Sequence, residues 1–331
     1  MLNSVVSGCF LFMALFAAGN ATAQGSAGNP AGNYPNKPIS VLITYVAGSS
    51  TDGEGRLYTD KMQASMKQSF IYDYRPGAGT TIGINYFVNA APDGYTIMIA
   101  NTTMSVFPNF YPKTNHEVVK RLEPISILSS RQTAIIASTA ALGNIHNLKE
   151  LSAYGKANPD KLNCITSGAG GITHIVCLAF AQALGINITP VHYKGVSEGQ
   201  IDLMTGRAQI YTGPVYSSAK LARAGKVHML AIIDRTRSRI MPDVPTSDEQ
   251  GYYFKYPSWV GAFAPPKTPR PIIDRLNAEF VKAAHNPDVV KALDAGGSLP
   301  VGSTPEEFRA QYLEEMAYWK KIVEDHHITL E

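Results

Sequence analysis

Short apolar runs alternate with stretches of helical periodicity along most of this chain. Strand-like runs cover Ile39 to Tyr45, Thr96 to Ala100, Glu123 to Leu128, Thr133 to Ser138, Asn163 to Thr166, Gln209 to Tyr211 and His228 to Ile233. Helical spacing falls between them, at Asp52 to Lys67, Ile82 to Ala90, Asn147 to Ala157, Thr173 to Leu184 and Gln200 to Thr205. From Arg270 to Val323 long amphipathic helices dominate, as if wrapping back onto the first part of the chain. Start and stop signals agree with these elements: Thr304-Pro305-Glu306-Glu307 opens a helix with Pro and acids in its first turn, and Ala224-Gly225-Lys226 ends one on Gly. Strands alternating with helices predict an α/β architecture with largely parallel sheets. No repeat of about 20 to 50 residues interrupts the pattern.

Two strand-to-helix junctions stand out chemically. The first is Val46-Ala47-Gly48-Ser49-Ser50-Thr51-Asp52 and the second is Thr166-Ser167-Gly168-Ala169-Gly170-Gly171-Ile172-Thr173-His174. A loop of small, hydroxylated residues running into a helix presents backbone N–H groups at the positive end of that helix, a ready place for a carboxylate or phosphate. Two such cradles suggest a clamp around one anion. Asp52 could contact a ligand, but an Asp inside a first turn also stabilises its own helix.

Length and composition narrow the picture. The 331 residues suffice for two domains with separate cores, and the 45% hydrophobic and 9% aromatic shares are those of a globular protein. A formal net charge of +3 with no run of Lys or Arg argues against a nucleic-acid partner. Cys9 to Ala18 is apolar and is followed by Ala21-Thr22-Ala23, a small-x-small cleavage site, so residues 1–23 read as a secretory signal even though no Lys or Arg precedes Val5. Gln24 to Asn33 then has nothing to bury and reads as a flexible leader. Cleavage near Ala23 leaves Cys164 and Cys177, which could form one disulfide. A strand and a helix layer are expected to hold them too far apart, which favours two buried free thiols.

Most enzyme signatures are missing. The chain has no Walker loop, His-Glu-x-x-His or Cys-x-x-Cys. Gly77 to Gly83 is one residue too long for a dinucleotide fingerprint and reads as a Gly-rich turn before a helix. His174 could serve as a general base, yet no nucleophile and second carboxylate are recognisably placed beside it. His326 and His327 are adjacent in the tail and do not share a helix face, which makes them poor metal ligands.

Taken together, the chain resembles the Bug family of periplasmic solute receptors, which serve tripartite tricarboxylate transporters. The resemblance lies in Tyr34-Pro35-x-Lys37-Pro38-Ile39, Gly48-x-x-Thr51-Asp52, Arg75-Pro76-Gly77-Ala78-Gly79, Ala91-Pro92-Asp93-Gly94-Tyr95-Thr96, Tyr193-Lys194-Gly195, Ala224-Gly225-Lys226, Pro242-Asp243-Val244-Pro245-Thr246 and Ala264-Pro265. These segments keep the family's order from Tyr34 to the C-terminus. The resemblance implies a type II periplasmic-binding fold, two lobes with a ligand cleft between them, lobe 1 from 34–131 and 235–331 and lobe 2 from 132–234. It further implies that Tyr45, Ala47, Gly48, Ser50 and Asp52 line the first loop and Thr166, Ser167, Gly168, Thr173 and His174 the second. The implied role is that of a periplasmic, monomeric, non-enzymatic receptor. It would capture a small mono- or dicarboxylate and deliver it to membrane transporter subunits, without cofactor or metal. The alternative is a secreted hydrolase or isomerase using His174. Two departures from the family pattern bear on the ligand. Gly48-Ser49-Ser50 adds hydroxyls where the family usually has glycines, and Gly213 stands where many members carry an Asp. Loss of that Asp disfavours an amino-acid ligand and favours a neutral-bodied or dianionic carboxylate, and Gly213 with Pro214 is expected to widen the pocket, even for an aromatic dicarboxylate.

Overall fold

The computed structural model of the protein describes residues 32–77, 80–106, 116–166, 172–193, 196–256 and 258–325. The expected signal segment, nearly all of the leader, and His326 and His327 lie outside the described residues. The chain first lays down β1 (Ile39–Ile43), α1 (Ser50–Met66), β2 (Phe70–Tyr74), α2 (Thr81–Phe87), β3 (Thr96–Asn101), α3 (Thr103–Val106), α4 (His116–Val119) and β4 (Glu123–Ser130). It crosses into β5 (Thr133–Ser138), α5 (Thr139–Leu142), α6 (Leu148–Ala157), β6 (Asn163–Thr166), α7 (Ile172–Leu184), β7 (Thr189–His192), α8 (Val196–Thr205), β8 (Ile210–Pro214), α9 (Val215–Arg223) and β9 (Val227–Ile233). It returns as β10 (Trp259–Ala264), α10 (Arg270–Ala284), α11 (Pro287–Ala295), β11 (Leu299–Pro300) and α12 (Pro305–Asp325).

Two sheets result, with strand orders β11-β4-β10-β3-β1-β2 and β7-β6-β8-β5-β9. Both faces of each are covered, so the strands are apolar on both sides. In β1, Ile39, Val41 and Ile43 pack towards α1 and α10, while Leu42 points into the opposite core with Phe308 and Tyr312 of α12. In β5, Ile135 and Ala137 meet Phe180 of α7, and Ala134 and Ile136 meet Leu203 of α8. Parallel pairing holds for β1 with β2 and β3, and for β6 with β7 and β8. The strands next to the crossings, β10 and β5, run antiparallel to their neighbours because the chain enters each sheet there from the other lobe.

The second crossing comes later than expected. Val244 and Phe254 are buried in the cores of the second sheet, and the Ile232 amide donates to Pro245 O at 2.9 Å. Contacts of this kind put the 240–256 segment on the second sheet, where a division at 235 had assigned it to the first. α12 joins the two halves. Its Phe308, Tyr312 and Met316 sit in the first lobe's core, and its Trp319 and Ile322 pack on Ile175, Val176 and Ala179 of α7. Cys164 and Cys177 are both buried free thiols, and burial pushes the Cys177 thiol up.

Candidate functional site

A cavity of about 130 Å³ opens where the lobes meet. Its walls come from four places: Ser50, Thr51 and Glu54 of α1; Asn101, Thr102 and Thr103 at the end of β3; Ser129, Ser130 and Arg131 at the first crossing; and Tyr256, Ser258 and Trp259 at the second. Ile172, the first residue of α7, closes it from the other lobe. The ends of β1 and β3 that face it are carboxyl ends of parallel strands, where α/β sheets ordinarily bind ligands.

The first loop is held in shape by its own side chains. Ser49 caps α1, its hydroxyl accepting from the Asp52 amide at 3.3 Å. The Asp52 carboxylate, 3% exposed as a residue, accepts from the Gly48 amide at 2.8 Å, from Arg56 Nε at 3.0 Å and from the Tyr74 hydroxyl at 3.0 Å. Gly48 adopts φ +80°, the left-handed region that its missing Cβ permits. This latch occupies two of the residues expected to meet the ligand. Asp52 is fully engaged and holds the loop from behind, and the Gly48 amide is spent on Asp52. Ala47 and Gly48 are exposed and do not line the cavity. Among the described residues, the Ser50 and Thr51 amides at the first two helical positions have no acceptor, as helix geometry dictates.

Tyr45 acts one step back. Its hydroxyl donates to Asn101 Oδ1 at 2.7 Å and lies 2.9 Å from Thr103 Oγ1, and Asn101 Nδ2 in turn donates to Thr51 Oγ1 at 3.2 Å. Burial pushes the Tyr45 phenol up, so it stays a neutral donor. Glu54 and Arg131 are the charged residues of the cavity wall. They bond directly, and Ser129 Oγ also donates to the Glu54 carboxylate. Ser298 Oγ accepts from Arg131 Nε at 2.8 Å and donates to Glu54 Oε1 at 2.9 Å. The Arg131 amide donates to Ser258 O at 2.7 Å, which pins the two crossings together. Sequence reasoning missed this polar set, apart from Tyr45 and Ser50.

The second loop is described only in part, and Ser167 and Gly168 lie outside the described residues. Thr166 is fully buried and shares a hydrogen bond with His192 Nδ1. Thr173 is buried on α7, and the His174 ring stands edge-on to His192 with centroids 4.9 Å apart. None of these four lines the cavity; Ile172 is the part of α7 that does. Gly213 does not widen anything. The Tyr211 ring covers its face, and a Cβ there would collide with that ring, whose phenol burial pushes up to about 12. The space an Asp would occupy is therefore filled by a neutral aromatic ring.

A larger cavity, about 610 Å³, lies against the same crossings on the α12 side. Asp234, Asp248, Glu307, Glu314 and Glu315 outnumber Arg131, Arg235 and Lys255 on its wall. No helix N-terminus of the two cradles reaches it, so an anion is better served by the smaller one.

The chain is similar to known proteins over most of its length. The pattern of the tripartite tricarboxylate transporter family receptor matches residues 55–328. Protein BugT of Bordetella pertussis is 29% identical over 308 residues, 92% of this chain and 94% of its own. MatC from Rhodopseudomonas palustris, solved with bound malate, superposes with a TM-score of 0.66 at 27% identity, over 88% of this chain and all of that one. A TctC solute binding protein from Polaromonas shares the fold with a TM-score of 0.81 at 24% identity, over 88% of this chain and 99% of that one.

Proposed function

We propose that this chain, which belongs to the tripartite tricarboxylate transporter receptor family, holds the carboxylate of its solute in the small interlobe cavity, at the N-terminus of α1 and beside Arg131. The protein is a solute-binding receptor for carboxylates. The observation that carries the site assignment is the convergence of Ser50, Thr51 and Arg131 with Ile172 of the opposite lobe on one cavity. Two free amides, two hydroxyls and a guanidinium edge can share one negative charge, and closure between rigid lobes would bury it. MatC, solved with malate, supports a carboxylate as the ligand. Export with cleavage near Ala23, a monomeric state, and delivery of the closed form to membrane subunits complete the reading. A receptor returns its ligand unchanged, so mass analysis after incubation separates it from a His174-dependent enzyme.

The test is a titration of the protein with a broad panel of small organic acids while its unfolding is followed. An acid at about 100 times its dissociation constant should add roughly 2.7 kcal/mol. For that acid, Ser50→Ala should cost about tenfold to a hundredfold in affinity, as hydrogen bonds to charged groups do, and leave the unliganded stability nearly unchanged. Flat curves across the panel refute the reading.

A further inference from the structure

We infer that Glu54 acts as a charge filter, so that the cavity selects carboxylates with one negative charge and at least one hydroxyl over dicarboxylates. The inference rests on the proposal that this cavity takes an organic acid. Its starting point is a balance of charge. Among the described residues Glu54 and Arg131 are the charged ones on the wall, and they face each other directly, so these residues leave the cavity formally neutral before any ligand enters. Glu54 is only 7% exposed, and its carboxylate is fixed by Arg131, Ser129 and Ser298.

One ligand carboxylate is accommodated. Arg131 Nη1 has no acceptor among the described residues, and the Ser50 and Thr51 amides are open. A second carboxylate is not. In about 130 Å³ it would lie close to Glu54, with no further cation among the described residues of the wall. Two like charges about 6 Å apart, in a surrounding of effective dielectric near 20, repel by an energy worth on the order of a hundredfold in affinity, part of which the Arg131 guanidinium paired with Glu54 offsets. The rest of the wall offers Thr51, Asn101, Thr102, Thr103, Ser130 and Ser258, neutral groups that both donate and accept. A hydroxyl on the ligand can pair with these, or donate to Glu54.

Matched four-carbon acids test the filter: butyrate, 3-hydroxybutyrate, 4-hydroxybutyrate and succinate, titrated into the intact protein at about pH 7.5. At least one hydroxybutyrate should bind about tenfold or more tighter than both butyrate and succinate. Glu54→Gln should shrink the gap to succinate by about tenfold, mainly through a gain for succinate. A measurement on the unaltered protein makes the test independent of how that variant folds. Lowering the pH to about 5 removes much of the second charge of succinate, and its affinity relative to hydroxybutyrate should rise. Succinate binding as tightly as the hydroxy acids at about pH 7.5, or a ratio unmoved by both Glu54→Gln and pH, overturns the filter and leaves the receptor reading intact. Failure of every acid in a broad panel overturns both.

Discussion

The two helices that point at the cleft, α1 and α7, are supported in opposite ways. The start of α1 is braced by polar groups: the Ser49 cap, the Asp52 latch, and the Glu54 network that ties it to both crossings. The start of α7 is braced by apolar packing, with Ile175, Val176 and Ala179 pressed against Trp319 and Ile322 of α12. Polar bracing fixes the direction of amides and hydroxyls, which is what recognition of a charge requires. Apolar bracing is non-directional and sets position and stability. On the site proposed above, that difference among the described residues would give the first lobe the chemistry and the second the shape.

The comparison breaks most visibly at Trp319. Trp319→Ala removes a fully buried ring between α7 and α12 and should cost about 3 to 5 kcal/mol in urea unfolding. If stability barely changes, α7 is not held by this packing.

Glu315 sharpens the same point, because it is the buried carboxyl on the face of α12 that joins the lobes. Burial pushes it up to about 7, against the Trp259 indole at 2.9 Å and the Gln311 amide at 2.8 Å, which favour its charged form. Between its ordinary value of 4.5 and about 7 the folded state binds more proton than the unfolded one. The contribution of Glu315 to stability should therefore be fully present below the lower value and be lost as pH rises through the window, by at most about 3 kcal/mol. Glu315→Gln should flatten that slope. An unchanged slope would remove Glu315 as its source.

The smallest stability effect is expected at the latch. Asp52→Ala leaves the Gly48 amide, Arg56 and the Tyr74 hydroxyl without their acceptor and should cost about 2 kcal/mol. It should also weaken acid binding by about tenfold, because the loop that orients Ser50 loses its tether. Trp319→Ala, by contrast, should cost stability at the larger scale, with the polar half of the site intact. If Asp52→Ala binds acids as the parent protein does, polar bracing of α1 is not what recognition needs.

How much of this was legible in the chain differs by element. β5 and β6 have the same ends in sequence and structure, since each is an apolar run bounded by turn residues. The strands that were missed are of two kinds. β2, β7 and β11 are edge strands, with Ile71 exposed in the first and Pro190 and Pro300 in the other two, which blurs the apolar pattern. β10 is fully buried but carries Gly261, a residue that reads as a breaker; here a Cβ would strike the Phe308 ring.

For the site, the hydroxyls at the start of α1 were readable because helix N-termini announce themselves locally. Glu54 was not, because in sequence it is one more polar residue on a helix, and its partner Arg131 lies a whole sheet away. Asn101-Thr102-Thr103 at the end of an apolar strand was a usable signal, given that ligands gather at the carboxyl ends of such strands.

The account's central claim is that polar groups of the first lobe and its crossings hold the solute's carboxylate. A crystal structure of the protein with a bound small acid tests it most directly. The predicted result has that carboxylate within hydrogen-bond distance of the Ser50 or Thr51 amide and of the Arg131 guanidinium. A carboxylate seated instead in the larger cavity along α12, with the α1 amides untouched, would contradict it.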